Sequence, residues 1–121
     1  MELRFSVPGR PVPKARMTAR SVGQRRARRT LDYQARVRSR AFAACHQAGW
    51  RPGDGPYAVE LRFHIADARR RDLDNLTKSV LDGLQPQPLP DDSTAYVRRL
   101  LVEVADCQEG AEGVDVLVSE L

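Results

Sequence analysis

Hydrophobic and polar residues alternate along residues 2–7, with Leu3, Phe5 and Val7 on one face and Glu2, Arg4 and Ser6 on the other. A period of two predicts a half-buried strand, and Pro8, Pro11 and Pro13 end it. The same alternation is clearest over residues 57–65, where Tyr57, Val59, Leu61, Phe63 and Ile65 share a face. Between these strands Val37, Ala41, Ala44, Cys45 and Ala48 recur at helical spacing and predict a helix over 31–48. Thr30 is its expected N-cap, Asp32 lies in the expected first turn and Gly49 supplies a stop, with Arg36, Arg38 and Arg40 on or beside the exposed faces. Leu73, Leu76, Val80 and Leu84 mark one face of a second helix, with Gly83 near its end. The prolines in Gln85-Pro-Gln-Pro-Leu-Pro90 exclude helix and make a stiff connector. A strand is expected at 95–104 through Tyr96, Leu100, Val102 and Val104, and a last one at 114–118. The order β-α-β-α-β-β predicts an α+β fold: one four-stranded, mainly antiparallel or mixed sheet with two helices packed on it.

A length of 121 residues suits a single domain spanning 1–121, with a modest core and an open, charged site rather than an enclosed cofactor pocket. No stretch is apolar enough to cross a membrane and the first residues lack a secretory apolar region. A cytoplasmic protein with no membrane partner and no small-molecule cofactor is therefore expected. Cys45 and Cys107 read as reduced thiols, and with His46 and His64 they lack zinc-ligand spacing.

Charge distribution changes the picture more than composition does. Residues 1–40 hold 12 Lys/Arg and 2 Asp/Glu, and residues 41–121 hold 8 and 14, so local balances of +10 and −6 make up the net +4. A basic loop at about 9–29, carrying Lys14 and Arg16 among others, suits a polyanion such as nucleic acid.

The acidic half has its own logic. In Arg69-Arg-Arg-Asp-Leu-Asp-Asn-Leu-Thr-Lys78, Asp72 and Asp74 stand two apart where the second helix begins, and Lys78 follows Asp74 by one helical turn. Asp91 and Asp92 follow the proline connector just before a strand. Carboxylates gathered near one point repel one another unless a cation sits among them. Mg²⁺ takes such oxygen ligands and can activate water against a phosphodiester. Asp72, Asp74 and Asp92 are the candidate metal ligands and catalytic acids, and Lys78 could orient water or neutralise developing charge. Arg69, Arg70 and Arg71 would hold the DNA backbone. Taken singly, each feature has a plainer reading: an Asp before a helix caps it, an Asp pair makes a turn, and an arginine run is solvated surface. The combination is what favours a metal site.

The segment Arg70-Arg-Asp-Leu-Asp-Asn-Leu-Thr-Lys78, then Asp82-Gly-Leu84, then Asp91-Asp-Ser93 resembles the signature of the RusA family of Holliday junction resolvases. Gly9-Arg-Pro-Val-Pro-Lys14 resembles that family's early Gly-x-Pro-x-Pro-Lys segment. The resemblance implies a homodimer that binds branched DNA and resolves four-way junctions by paired symmetric nicks in recombination and repair. It implies Mg²⁺ as cofactor, with Mn²⁺ able to stand in. It places Asp72, Asp74 and Asp92 as metal-binding acids and Lys78 as the catalytic lysine. Asn75 falls beside them and is counted with Lys14, Arg16 and the arginine run as a DNA-side residue.

Other readings stay open at this level. A non-catalytic junction-binding protein of the same fold, a nuclease for flaps or other branched DNA, and a structural dimer whose acids are caps all fit the residue pattern. His64 is expected on the polar side of its strand and His46 in a structural role. Trp50, Tyr33 and Tyr57 are expected in the core rather than in base stacking.

Overall fold

The computed structural model describes residues 1–15, 24–67 and 71–121. Six elements follow in the expected order: β1 (Glu2–Pro8), α1 (Arg25–Ala48), β2 (Tyr57–Ile65), α2 (Leu73–Gly83), β3 (Val97–Asp106) and β4 (Gly113–Glu120). The four strands form one mixed sheet in the order β1-β4-β2-β3. β4 runs antiparallel to both β1 and β2, while β2 and β3 are parallel. Both parallel crossovers, β1-α1-β2 and β2-α2-β3, progress the same way along the sheet. Crossovers of one hand then leave both helices on the same face.

Register explains which side chains make the core. Val59, Leu61 and Phe63 lie opposite Val118, Val116 and Val114, which lie opposite Leu3, Phe5 and Val7. All but half-buried Phe5 are buried. The opposite face carries Arg4, Ser6, Glu60, Arg62 and Asp115, as expected of a sheet covered on one side only. His64 is there too, its Nε2 2.7 Å from Asp115 Oδ2, in keeping with its expected polar environment. His46 is exposed near the end of α1.

Tyr33, Val37, Ala41 and Cys45 press α1 onto the core. Burial raises the Cys45 thiol to about 11. The helix ends at Gly49, whose φ of 65° is left-handed and suits a residue without a Cβ. Trp50 follows it into the core, tilted against Tyr57 and donating Nε1–H to Pro88 O at 3.1 Å. This fixes the proline connector against the end of α1. Arg38 holds the other side of that junction by donating to the carbonyls of Asp82 and Gln85. A cation over the last carbonyls of a helix opposes its negative end.

Several expectations are corrected. α1 starts at Arg25, so residues 25–29 belong to it and not to the basic loop, and Asp32 lies beyond its first turn. Thr30 is not the N-cap: it is buried mid-helix, its hydroxyl donating to Pro13 O at 3.1 Å and accepting Ala15 N–H at 2.9 Å. The buried face of this first stretch is Ala27, Thr30 and Gln34, small or polar residues that leave no apolar period to read. In α2, Leu76, Val80 and Leu84 are buried as expected, but Leu73 at the first position is exposed. On β3, Val102 packs against the core, while Leu100 and Val104 are exposed at the sheet edge.

Candidate active site

The site is built around the first turns of α2. Asp72 is its N-cap, with extended backbone, and its Oδ1 accepts Asp74 N–H at 3.1 Å. The helix starts here because that carboxylate satisfies a backbone donor the helix itself cannot. Asn75 Nδ2 donates to the other oxygen of Asp72 at 3.4 Å. Asp74, in the first turn, is exposed, and its carboxylate has no hydrogen bond or ion pair among the described residues. Its charge is favoured there by the positive end of the helix.

Lys78, one turn on, is where the later aspartates meet the helix. Its Nζ donates to Asp92 Oδ2 at 2.8 Å and lies 3.5 Å from Asp82 Oδ1. The bond to Asp92 is the main reason its ammonium is held protonated above its ordinary range, with partial burial opposing and the charges of Asp82 and Asp92 adding to it. Asp91 takes a different part. Hydrogen bonds from the Ser93 hydroxyl first and Ser93 N–H second, the latter to Oδ1 at 2.7 Å, lower its pKa and shape the turn before β3.

Asp82, absent from the expected site residues, turns out to be the hub. Its Oδ2 accepts from Lys14 Nζ at 2.9 Å and Gln34 Nε2 at 3.2 Å, while its Oδ1 faces Lys78. The sequence carries a signal for it: Asp82 is four residues after Lys78 and so on the same helix face. Lys14 is also tied through its backbone, donating N–H to Asn75 O at 2.9 Å. Lys14, Asp82, Lys78 and Asp92 thus form a chain of alternating charge that joins the N-terminal segment, α2 and the approach to β3.

The arginines divide. Arg71 grips Asp67 with two bonds, at 2.7 and 3.0 Å, and its side chain is only 10% exposed. Arg10 reaches the same carboxylate at 2.9 Å and is half exposed. Arg16, Arg69 and Arg70 lie outside the described residues.

Among the described residues, no group of three or more acidic, His or Cys side chains is close enough to hold a metal ion. Asp72 and Asp74 share the head of α2, whereas Asp92 is engaged by Lys78. The donor type suits Mg²⁺, which prefers carboxylate oxygens. The Lys78 ammonium between Asp82 and Asp92 shows that these carboxylates already draw a cation.

An α+β sheet with both helices on one face, presenting acids and a lysine at the head of α2, has the groups that phosphodiester chemistry uses. A family model described as Endodeoxyribonuclease RusA matches residues 8–118, and the chain belongs to that family. The match takes in the Gly9–Lys14 segment, both helices and the acids and lysine of the site. No curated protein matches the chain. The family is one of Holliday junction endonucleases, which act on branched DNA. Among the described residues, no helix is long and apolar enough to cross a membrane.

Proposed function

We propose that the protein is a catalytically active, Mg²⁺-dependent resolvase that cuts four-way junctions as a homodimer. The observation that carries this reading is the start of α2, where Asp72 caps the helix, Asp74 has no side-chain partner among the described residues, and Lys78 one turn on is held charged by Asp92. Asp72, Asp74 and Asp92 would hold the metal, with Mn²⁺ able to replace Mg²⁺. The bound ion would polarise the scissile phosphate and supply a water of lowered pKa. Lys78 keeps a proton and a positive charge beside Asp92, placed to offset negative charge developing on the phosphate. Asp82 keeps Lys78 and Lys14 in place. Lys14 and Arg10, with Arg16, Arg69 and Arg70, supply cationic groups for backbone phosphates, so affinity falls steeply with salt. Asn75 orients Asp72.

The test is cleavage of a labelled four-way junction beside a linear duplex of the same sequence, with Mg²⁺ or EDTA, by wild type and Asp74→Asn. Symmetric nicks on the junction alone, lost with EDTA and in the variant while binding persists, support the proposal. Binding without any metal-dependent nick, in protein shown to be folded, would favour a non-catalytic junction binder.

A further inference from the structure

Arg71 stands immediately before the helix that carries the candidate metal acids, and three carboxylates lie within four positions of it: Asp67, Asp72 and Asp74. A guanidinium here is repelled by the positive end of α2 and attracted to each of those acids. It takes Asp67, donating Nη1 to Oδ1 at 2.7 Å and Nη2 to Oδ2 at 3.0 Å. Arg10 donates Nη2 to the same Oδ2 at 2.9 Å, so one carboxylate gathers two guanidinium groups.

This clamp is fastened to the end of the sheet. Gly9 N–H donates to Glu112 O at 2.9 Å, and Ala66 N–H donates to Glu112 Oε1 at 3.4 Å. The residues just before Arg10 and just before Asp67 are therefore both tied down where β4 begins. With its side chain only 10% exposed and both carboxylate oxygens engaged, Arg71 differs from the solvated ion pairs that contribute little.

The consequence falls on α2. Asp72 is occupied as a cap, and Asp74 has no side-chain partner among the described residues. An arginine released beside them would take Asp74, and a guanidinium on a carboxylate competes for the oxygens that Mg²⁺ uses. We propose that Asp67 is a positioning residue: by holding Arg71, and Arg10 with it, away from the start of α2, it keeps Asp72 and Asp74 open to the metal. This rests on the metal-site reading above. Asp67 itself touches neither metal nor DNA in this role.

The experiment is Mn²⁺ binding, followed by electron paramagnetic resonance of the free ion, with circular dichroism confirming the fold of each protein. Asp67→Asn is expected to weaken binding about tenfold, the scale on which residues behind a metal ligand act. Arg71→Gln is expected to bind at least as tightly as wild type, and Asp67→Asn/Arg71→Gln to recover most of the loss, because the competing cation is gone. Arg71→Lys keeps the net charge but gives up the two-point grip, and is expected to weaken binding several-fold. A long-range charge effect would leave Arg71→Lys like wild type, and a plain loop brace would leave the double variant no better than Asp67→Asn. Either result, or Asp67→Asn binding as tightly as wild type, would overturn the proposal. If Asp67→Asn does not fold, the contrast between Arg71→Lys and Arg71→Gln decides. A wild type that binds no Mn²⁺ sinks the metal reading and this proposal with it, whereas a wild type that binds, with variants indifferent to these changes, sinks this proposal alone.

Discussion

Lys78 and Asp92 meet at 2.8 Å, so a side chain from α2 and one from the segment before β3 share a proton donor. The bond raises the lysine's pKa above 10.5 in the folded protein. A folded pKa above the unfolded value gives stability that is fully present below the unfolded pKa and is lost as pH rises through the folded one. The side chain is 47% exposed, so solvent screening keeps the contribution to about 1 kcal/mol or less. Lys78→Met is therefore expected to lower the unfolding free energy in urea by a similar small amount from about pH 6 to 9, with the two proteins converging above the lysine's titration. A gap that persists at high pH would assign the loss to packing of the lysine stem. Junction cleavage is expected to fall by about 10² or more in the same variant at neutral pH.

Asp72 can cap α2 and also bind a metal, and two substitutions separate these roles. Asparagine caps a helix about as well as aspartate, whereas alanine does not. Asp72→Asn is expected to keep the melting temperature while cleavage is lost, and Asp72→Ala to lose about 1 kcal/mol as well. Wild-type cleavage by a folded Asp72→Asn would leave Asp72 as a cap only.

Thr30 fastens the N-terminal segment to α1 through Pro13 O and Ala15 N–H. Thr30→Val keeps the shape but strands both backbone groups, at an expected cost of about 1–3 kcal/mol in chemical denaturation. Because the same segment carries Lys14, weaker junction binding is expected alongside. A variant as stable as wild type would show that water replaces the hydroxyl.

Gly83 lets α2 approach α1 closely. A Cβ there would sit 2.6 Å from Val37 Cβ and 3.0 Å from Gln34 O. Gly83→Ala must push the helices apart, with an expected loss of about 1–3 kcal/mol by thermal or urea unfolding. The displacement would also move Asp82 relative to Gln34, so a drop in cleavage larger than the stability loss explains is expected. An unchanged melting temperature would mean the helices separate without strain.

Cys45 is buried, with its thiol raised to about 11, and Cys107 is half-buried in the loop after β3. Native labelling with a thiol reagent at about pH 8 is expected to modify Cys107 and spare Cys45 until the chain unfolds, since only thiolates react. Rapid modification of both would show that the end of α1 opens locally.

The strands were legible because each keeps its period over several residues. Tyr57, Val59, Leu61 and Phe63 face the core without interruption. The beginning of α1 was not, since Ala27, Thr30 and Gln34 are buried for hydrogen bonding and close approach rather than for apolar area. At the site, Asp72, Asp74 and Lys78 could be placed from local spacing on one helix. Asp82 could not be recognised as a hub, because its partner Lys14 lies 68 residues away and only the tertiary fold brings them together. Likewise, Leu100 and Val104 look like core residues by pattern, and only the strand order reveals that they sit at an edge.

The placement of β4 between β1 and β2 sets the order in which this protein can assemble. β1 is hydrogen-bonded to no other strand, so a ribosome-bound chain holding only the first three strands has a βαβ unit and an orphan. The sheet closes when the last-made strand slots into the gap, pairing residues more than a hundred positions apart, such as Leu3 with Val118. Closure over that distance slows folding. Until it happens, Leu3 and Val7 have no partner strand and Val59 and Leu61 have β3 on one side only, so β4 decides whether the nascent chain becomes a protein or an aggregate.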